Sequence, residues 1–295
     1  MSEIRLFRFD GNAVDQLKAE AVALEKSLQS LIEKHLELLL GVRFLATEFG
    51  TGRNHGGRID TLGIDENGCP VIIEYKRHGD HSVINQGLYY LDWLMDHRGD
   101  FKVLVQEVLG AVVAGGIDWA SPRLLCIANE FKKFDSYAIK QIDRNIELIE
   151  YARFGPDMLM LNPVARGEAK KAASTSSSTP GKASNPTVAA VLEGMGPQLA
   201  DVWSALQAFL LDLGDVDEVT VKETKLYMAF RRLKNFACVR PTKVHLIVWT
   251  KVDPDTVELE SGFTRDVRTI GHYGTGDLEI LISDLADLNK AKHLL

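Results

Sequence analysis

Cysteine is scarce and scattered: Cys69, Cys126 and Cys238 are the three in 295 residues, far apart and never in a C-x-x-C pair. Such a set supports neither a disulfide framework nor a cysteine-built zinc site, and it points to a reducing compartment, the cytoplasm. Histidine does no better as a zinc ligand, because His55, His78 and His81 lack the H-x-x-x-H spacing of a helical site. No apolar run approaches the ~20 residues that a membrane span requires. The opening MSEIRLFRFDGN lacks the basic-then-apolar layout of a signal peptide, so neither a membrane protein nor a secreted precursor is expected. Basic charge is also in deficit: 34 Lys and Arg face 41 Asp and Glu, a net −7. A chain that gripped nucleic acid over its whole surface would be basic. A local basic cleft, or an acidic metal site acting on nucleic acid, remains compatible with that balance.

At roughly 100–200 residues per domain, the length suggests two domains, each able to bury a core. Residues 166–186, RGEAKKAASTSSSTPGKASNP, hold almost nothing apolar and cannot recover the entropy lost on ordering, so a flexible linker is expected there. That stretch carries a net +3, against −6 for residues 1–165 and −4 for residues 187–295. It is a solubilising tether or an extra phosphate contact.

In the first domain a short strand is expected at 2–9. Leu17, Ala21, Leu24, Leu28, Leu31 and Ile32 recur at helical spacing, predicting a helix over 13–40 with Gly41 as its stop. Residues 42–49, 57–65 and 70–76 read as strands. Glu66, Asn67 and Gly68 form a turn signal between the last two. A helix is predicted over 80–97, strands at 101–108 and 122–128, a helix at 134–144 and a last strand at 145–153. This order implies an α/β fold, a mixed sheet flanked by helices. The second domain reads as α+β. It has a helix over 187–212, strands at 219–222, 226–231, 235–240, 243–250 and 278–282, and a closing helix at 284–294.

The chemistry concentrates in residues 56–94. Asp60 lies on one strand of the predicted hairpin; Glu74 and Lys76 end the other and leave the same face, two residues apart. The residues before them are apolar, and ionised groups at the end of a buried strand are costly unless paired or metal-bound. Two converging carboxylates suit Mg²⁺ or Mn²⁺, which bind through one or two carboxylates together with water and phosphate. Lys76 could hold or deprotonate an attacking water, or stabilise charge developing on phosphorus. Gln86 and Tyr90 are four apart on the predicted helix and share a face. Tyr89 is assigned to the core. Arg53, Arg58 and Arg77 surround the motif as phosphate contacts or as a solvated rim.

Asp60, Glu74 and Lys76 resemble the PD-(D/E)XK nuclease signature, and Gln86-Gly-Leu-Tyr-Tyr90 resembles the Q-x-x-x-Y motif of its RecB-type branch. The chain is also similar, over roughly residues 20–95, to the catalytic domain of the mismatch-type endonucleases. There a helix and a Glu-bearing strand precede G-R-I-D-x-L-G; here Glu48 stands in ATEFG ahead of Gly57–Gly63. The resemblance implies a restriction-endonuclease-like core and metal-dependent hydrolysis of DNA phosphodiesters, in repair or defence. Asp60 and Glu74 would be the metal ligands, Lys76 the catalytic lysine, and Gln86 and Tyr90 substrate-orienting residues. A helix carboxylate would be Glu25, with Glu33 the competitor. The family's Pro is replaced by Ile59, Tyr75 is larger than the usual residue, and the mismatch-type enzymes' N-terminal DNA-binding domain has no counterpart. A homodimer able to cut both strands is a further implication. The alternative is a non-catalytic module that binds nucleic acid or protein on the same fold.

The second domain resembles a bacterial domain of uncharacterised function that carries a transport label, which nothing membrane-spanning supports. Lys225, Tyr227, Arg231, Arg232, Lys234, Phe236 and Arg240 form a basic and aromatic set there, although alternating strands would bury half of it. The Gly-rich GHYGTGD at 271–277 reads as a loop.

Overall fold

The computed structural model describes residues 5–20, 25–76, 81–169, 186–214 and 219–295; the side chains of Asn54 and His81 are also outside the description. Two compact units, 1–173 and 174–295, divide the chain. The greater part of the expected linker lies outside the described residues.

The first unit runs β1 (Leu6–Asp10), β2 (Ala13–Leu17), β3 (Ala19–Glu20), α1 (Glu25–Lys34), α2 (Leu36–Leu40), β4 (Val42–Gly50), α3 (Gly52–His55), β5 (Arg58–Asp65) and β6 (Pro70–Lys76). It continues with α4 (His81–Asp96), α5 (Arg98–Leu109), α6 (Ala111–Gly115), β7 (Arg123–Ala128), α7 (Lys133–Lys140), β8 (Asn145–Phe154) and β9 (Met158–Gly167). Its main sheet is mixed, in the order β3-β8-β7-β6-β5-β4 with β9 also on β8. The β4–β5–β6 meander is antiparallel, whereas β6, β7 and β8 are parallel. Strands β6 and β7 are buried almost throughout, as parallel strands covered on both faces should be. The main core, including Ile64, Ile72, Val83, Leu91, Leu94, Leu124 and Ile139, joins the sheet to α4, α5 and α7.

In this unit two expectations are corrected and one strand is added. The single helix predicted over 13–40 does not hold: residues 6–17 form a hairpin with a turn at Gly11, where φ is +58°, and the described helical residues fall in two helices, Glu25–Lys34 and Leu36–Leu40. Phe7 and Phe9 of β1 are both exposed, whereas Leu28 and Ile32, four apart, bury one face of α1. Residues 101–108, rich in Val, belong to helix α5. Phe101 and Val105 are buried with Leu104 and Leu109 against the core, while Val103 and Val108 stay exposed, so the three-and-four spacing prevails over β-branched composition. Strand β9 was not expected. It is an edge strand that tolerates Pro163 at an irregularity in the β8–β9 register.

At the end of the sheet remote from Lys76, four strands share one buried ionic network. Arg123 on β7 donates to Asp65 on β5 at 3.1 Å and to Glu147 on β8 at 2.9 and 2.7 Å. Arg166 on β9 approaches Glu147 at 3.5 Å.

The second unit holds α8 (Val188–Glu193), α9 (Pro197–Leu211), β10 (Thr220–Glu223), β11 (Met228–Arg231), β12 (Asn235–Pro241), β13 (Leu246–Thr250), β14 (Thr264–Asp266), β15 (Leu278–Ile282) and α10 (Leu285–Ala291). Its antiparallel sheet has the order β10-β11-β12-β13-β15-β14 and packs one face on α9 and α10. The expected single helix over 187–212 is two, parted at Gly194–Gly196. Residues 271–277 form a loop, with Gly274 so close to Cys238 and Trp249 that a Cβ there would clash. Tyr227 is buried with Trp249 and Val267, so the basic and aromatic set does not form one surface. Among the described residues, no helix is long and apolar enough to cross a membrane.

A candidate nuclease-type site at the end of the central strands

The backbone ladder between β5 and β6 runs from Ile64↔Pro70 to Thr61↔Ile73 and stops one residue short of Asp60 and Glu74. Side chains take over at that point. The Asp60 N–H donates to Glu74 Oε1 at 3.2 Å, and the Tyr75 N–H donates to Asp60 Oδ2 at 3.0 Å. Each carboxylate is thus pinned by the neighbouring strand's backbone. Glu74 Oε2 is buried and has no hydrogen-bond partner among the described residues.

Burial pushes the Glu74 carboxyl up to about 9, and the Asp60 charge adds to the rise, with Lys76 acting against it. Burial likewise raises Asp60, opposed by the Tyr75 N–H. Behind Glu74, the Cys126 thiol is pushed up by burial and by the Glu74 charge, so it is no ready thiolate. A raised carboxylate pair with an orphaned buried oxygen is the donor set that a cation would satisfy. The donors are hard oxygens, which fit Mg²⁺ or Mn²⁺. Among the described residues no three His, Cys, Asp or Glu groups form a complete metal cage. Two carboxylates leave the remaining positions to water and phosphate.

Glu25, in the first turn of α1, places a charge that raises Asp60. Glu33 accepts from Thr61 Oγ1 at 2.6 Å and from Gln29 Nε2 at 3.0 Å. Both helix carboxylates thus lie near the pair, Glu25 through its charge on Asp60 and Glu33 through Thr61, the next residue of β5. Glu48 was quoted from sequence only as a strand residue and was not assigned to the site. It stands in β4 with φ at 51°, a left-handed conformation rare for a non-glycine residue in a strand, and its charge raises both Asp60 and Glu74. Lys26 at 2.8 Å and Arg58 at 2.5 Å hold it, and the Lys26 bond keeps its carboxyl below the usual range. The signal that could have found it is its place opposite Asp60, since Thr47 pairs with Thr61 and Phe49 with Ile59.

Gln86 and Tyr90 do meet, with Gln86 Nε2 donating to Tyr90 Oη at 3.2 Å. The same oxygen accepts from the Arg58 N–H at 3.1 Å, and Tyr90 is buried. This pair therefore positions the start of β5, two residues before Asp60. Gly57 permits the approach, since a Cβ there would lie 2.4 Å from Tyr90 Cε1. Tyr89, expected in the core, is 45% exposed and donates to the His55 carbonyl at 2.6 Å. It belongs to a ring cluster of His55, Trp93 and His97 that anchors α3 to α4. Arg58 is exposed but paired with Glu48, and Arg53 is exposed on α3. Arg77 lies outside the described residues.

Residues 24–154 match the family model of the Endonuclease NucS C-terminal domain, and residues 188–294 match a domain of unknown function, DUF5655. The segment that carries the carboxylate pair is thus similar to a known nuclease domain. An uncharacterised protein of Haemophilus influenzae (strain ATCC 51907 / DSM 11121 / KW20 / Rd) is 29% identical over 286 residues, spanning 95% of this chain and 94% of that one. Two solved structures are similar over 44% of this chain. An EndoMS–dsDNA complex is 20% identical with a TM-score of 0.32, and a repair endonuclease from Pyrococcus abyssi is 18% identical with a TM-score of 0.29. The chain spans about half the length of these two, 47% and 49%.

Proposed function

We propose that the first unit is a Mg²⁺- or Mn²⁺-dependent endonuclease acting on DNA. The observation that carries this reading is the interlocked Asp60–Glu74 pair with its unpartnered buried oxygen, at the strand end that also bears Lys76. The match of residues 24–154 to an endonuclease domain supports it independently.

Asp60 and Glu74 would hold the ion, with Glu25 and Glu48 adding negative charge around it. Bound there, the ion would neutralise charge at the scissile phosphate and acidify the attacking water. Lys76 ends the same strand face as Glu74, so it orients that water, helps to take its proton, or meets the charge that builds on the phosphate oxygens. Gln86 and Tyr90 act through Arg58 and the β5 backbone, as positioning residues for Asp60. Arg58 and Arg53 lie outward, where phosphates of the bound strand would pass.

The test is cleavage of a panel of labelled duplex, mismatched and single-stranded DNAs with Mg²⁺ or Mn²⁺, comparing the native chain with Lys76→Ala. Metal-dependent cutting that falls at least a hundredfold in the variant is expected. Equal inertness of both proteins, with DNA binding retained, would replace catalysis by a binding role.

A further inference from the structure

Helix α7 presents an unusual surface beside the candidate site. Its register places it: Lys76 on β6 pairs with Ala128 on β7, and Ala128 with Glu150 on β8. The loop of residues 129–132 therefore leaves β7 about one strand spacing, roughly 5 Å, from the end of the Lys76 strand. Helix α7 starts at Lys133, immediately after that loop. It buries Asp135 and Ile139 in the core that also holds Val83 and Ile84 of α4, so α4 and α7 cover the same face of the sheet.

The outward side of α7 is basic and aromatic. Phe134 is 74% exposed and Tyr137 is 61% exposed. Lys133 lies over the Tyr137 ring, 5.8 Å from its centroid. Lys132 and Lys140 are exposed as well. At about 100° per residue, Lys140, Lys133, Tyr137 and Phe134 fall on one continuous arc. Between residues 129 and 140 the one exposed acid is Glu130. Two large exposed rings cost solvation and help no core. Three lysines around them, in a chain of net charge −7, make this face locally basic.

We propose that this face of α7 is a platform for an unpaired DNA strand leading to the candidate site, with Phe134 and Tyr137 stacking on bases and Lys132, Lys133 and Lys140 contacting phosphates. Stacking on exposed rings flanked by cations is how proteins grip single strands without reading sequence. A duplex keeps its base faces covered and would leave both rings unused. The proposal rests on the nuclease reading for the direction in which the strand runs, and not for the platform's chemistry.

The experiment uses the full chain carrying Lys76→Ala, so that binding is measured without cleavage. Fluorescence anisotropy follows a labelled oligothymidylate over a series of KCl concentrations. Phe134→Ala with Tyr137→Ala should weaken binding about tenfold or more and leave the salt dependence unchanged. Phe134→Tyr with Tyr137→Phe should retain it. Replacing the three lysines by Gln should reduce the slope of log K against log salt by about 2. Sedimentation of each variant shows whether association between chains has changed. The platform is overturned if the parent does not bind the oligonucleotide, or if the alanine pair binds within twofold of it. It is equally overturned if the conservative pair loses binding too, or if weakened binding merely follows loss of a dimer buried on these rings. Metal-dependent cutting by chains with Lys76 intact separates the two readings. Cutting without any effect of the aromatic pair defeats the platform alone, and an aromatic effect without any cutting defeats the nuclease reading alone.

Discussion

Glu74 carries the sharpest consequence at the scale of one residue. Its carboxyl is raised to about 9 by burial and by Asp60, whereas an unfolded chain would leave it near 4.5. A raised folded-state value means that the protonated form is the one the fold favours. Its stabilisation is complete below about pH 4.5, declines through neutrality and is gone above about pH 9, at about 1.4 kcal/mol for each pH unit in between. Urea unfolding of the metal-free protein at pH 5.5 and 8.5 should show a steeper loss of stability than in Glu74→Gln. The variant should be the more stable of the two at pH 8.5, and inactive. Added Mg²⁺ should recover stability at pH 8.5 for the native chain and not for the variant. The Asp60–Glu74 meeting was legible because a three-residue turn and a period-2 strand fix which residues face each other. Glu48 was passed over: its place opposite Asp60 was a signal, whereas its left-handed backbone is announced by no local pattern of residue types. The roles of Tyr89 and Tyr90 were exchanged in part: both rings are ordinary helix neighbours in sequence, and only the packing of Gly57 decides which one is buried.

Elements bring these residues together through few contacts. The Gly57–Tyr90 approach joins β5 to α4, and Gly57→Ala would force a methyl group to within 2.4 Å of a buried ring carbon. Displacing the ring should cost about 1–3 kcal/mol, read by thermal unfolding. Cleavage should fall further than stability alone explains, since the start of β5 carries Asp60. At the other end of the sheet, Arg123→Ala would remove the buried ion pairs to Asp65 and Glu147 while leaving both acids in the interior. A loss of about 3–5 kcal/mol is expected from denaturant curves. The mixed sheet could be read from the sequence where strands alternate or run apolar without interruption. It failed at α5, where valines imitate a strand, and at β9, where Pro163 hides an edge strand behind a residue that breaks central ones. Helix α7 was expected over 134–144 and runs over Lys133–Lys140, and its exposed rings appear only once the buried side of the helix is known.

Across the whole molecule the charge balance opposes DNA. A chain of net −7 repels phosphate at long range, and the candidate site adds the carboxylates of Glu25 and Glu48 around the Asp60–Glu74 pair at short range. Divalent ions should therefore promote binding as well as cutting. For the Lys76→Ala chain, duplex affinity measured at constant ionic strength should rise at least tenfold between EDTA and millimolar Mg²⁺, and Asp60→Asn with Glu74→Gln should remove most of that dependence. The two compact units divide between residues 173 and 174, inside the low-complexity stretch, whereas no motif in the sequence assigned the second unit a role. Its residues build a sheet and a core, but the sequence pairs no chemistry there as it does at Asp60 and Glu74.

The Arg123 network lies at the opposite end of the strands from the carboxylates, tying β5, β7, β8 and β9 through groups that never meet the candidate site. What keeps the sheet in register is thus separate from what would make it a catalyst. Inheritance can act on the two ends independently. One substitution at Lys76 would abolish the proposed reaction and still leave the scaffold intact.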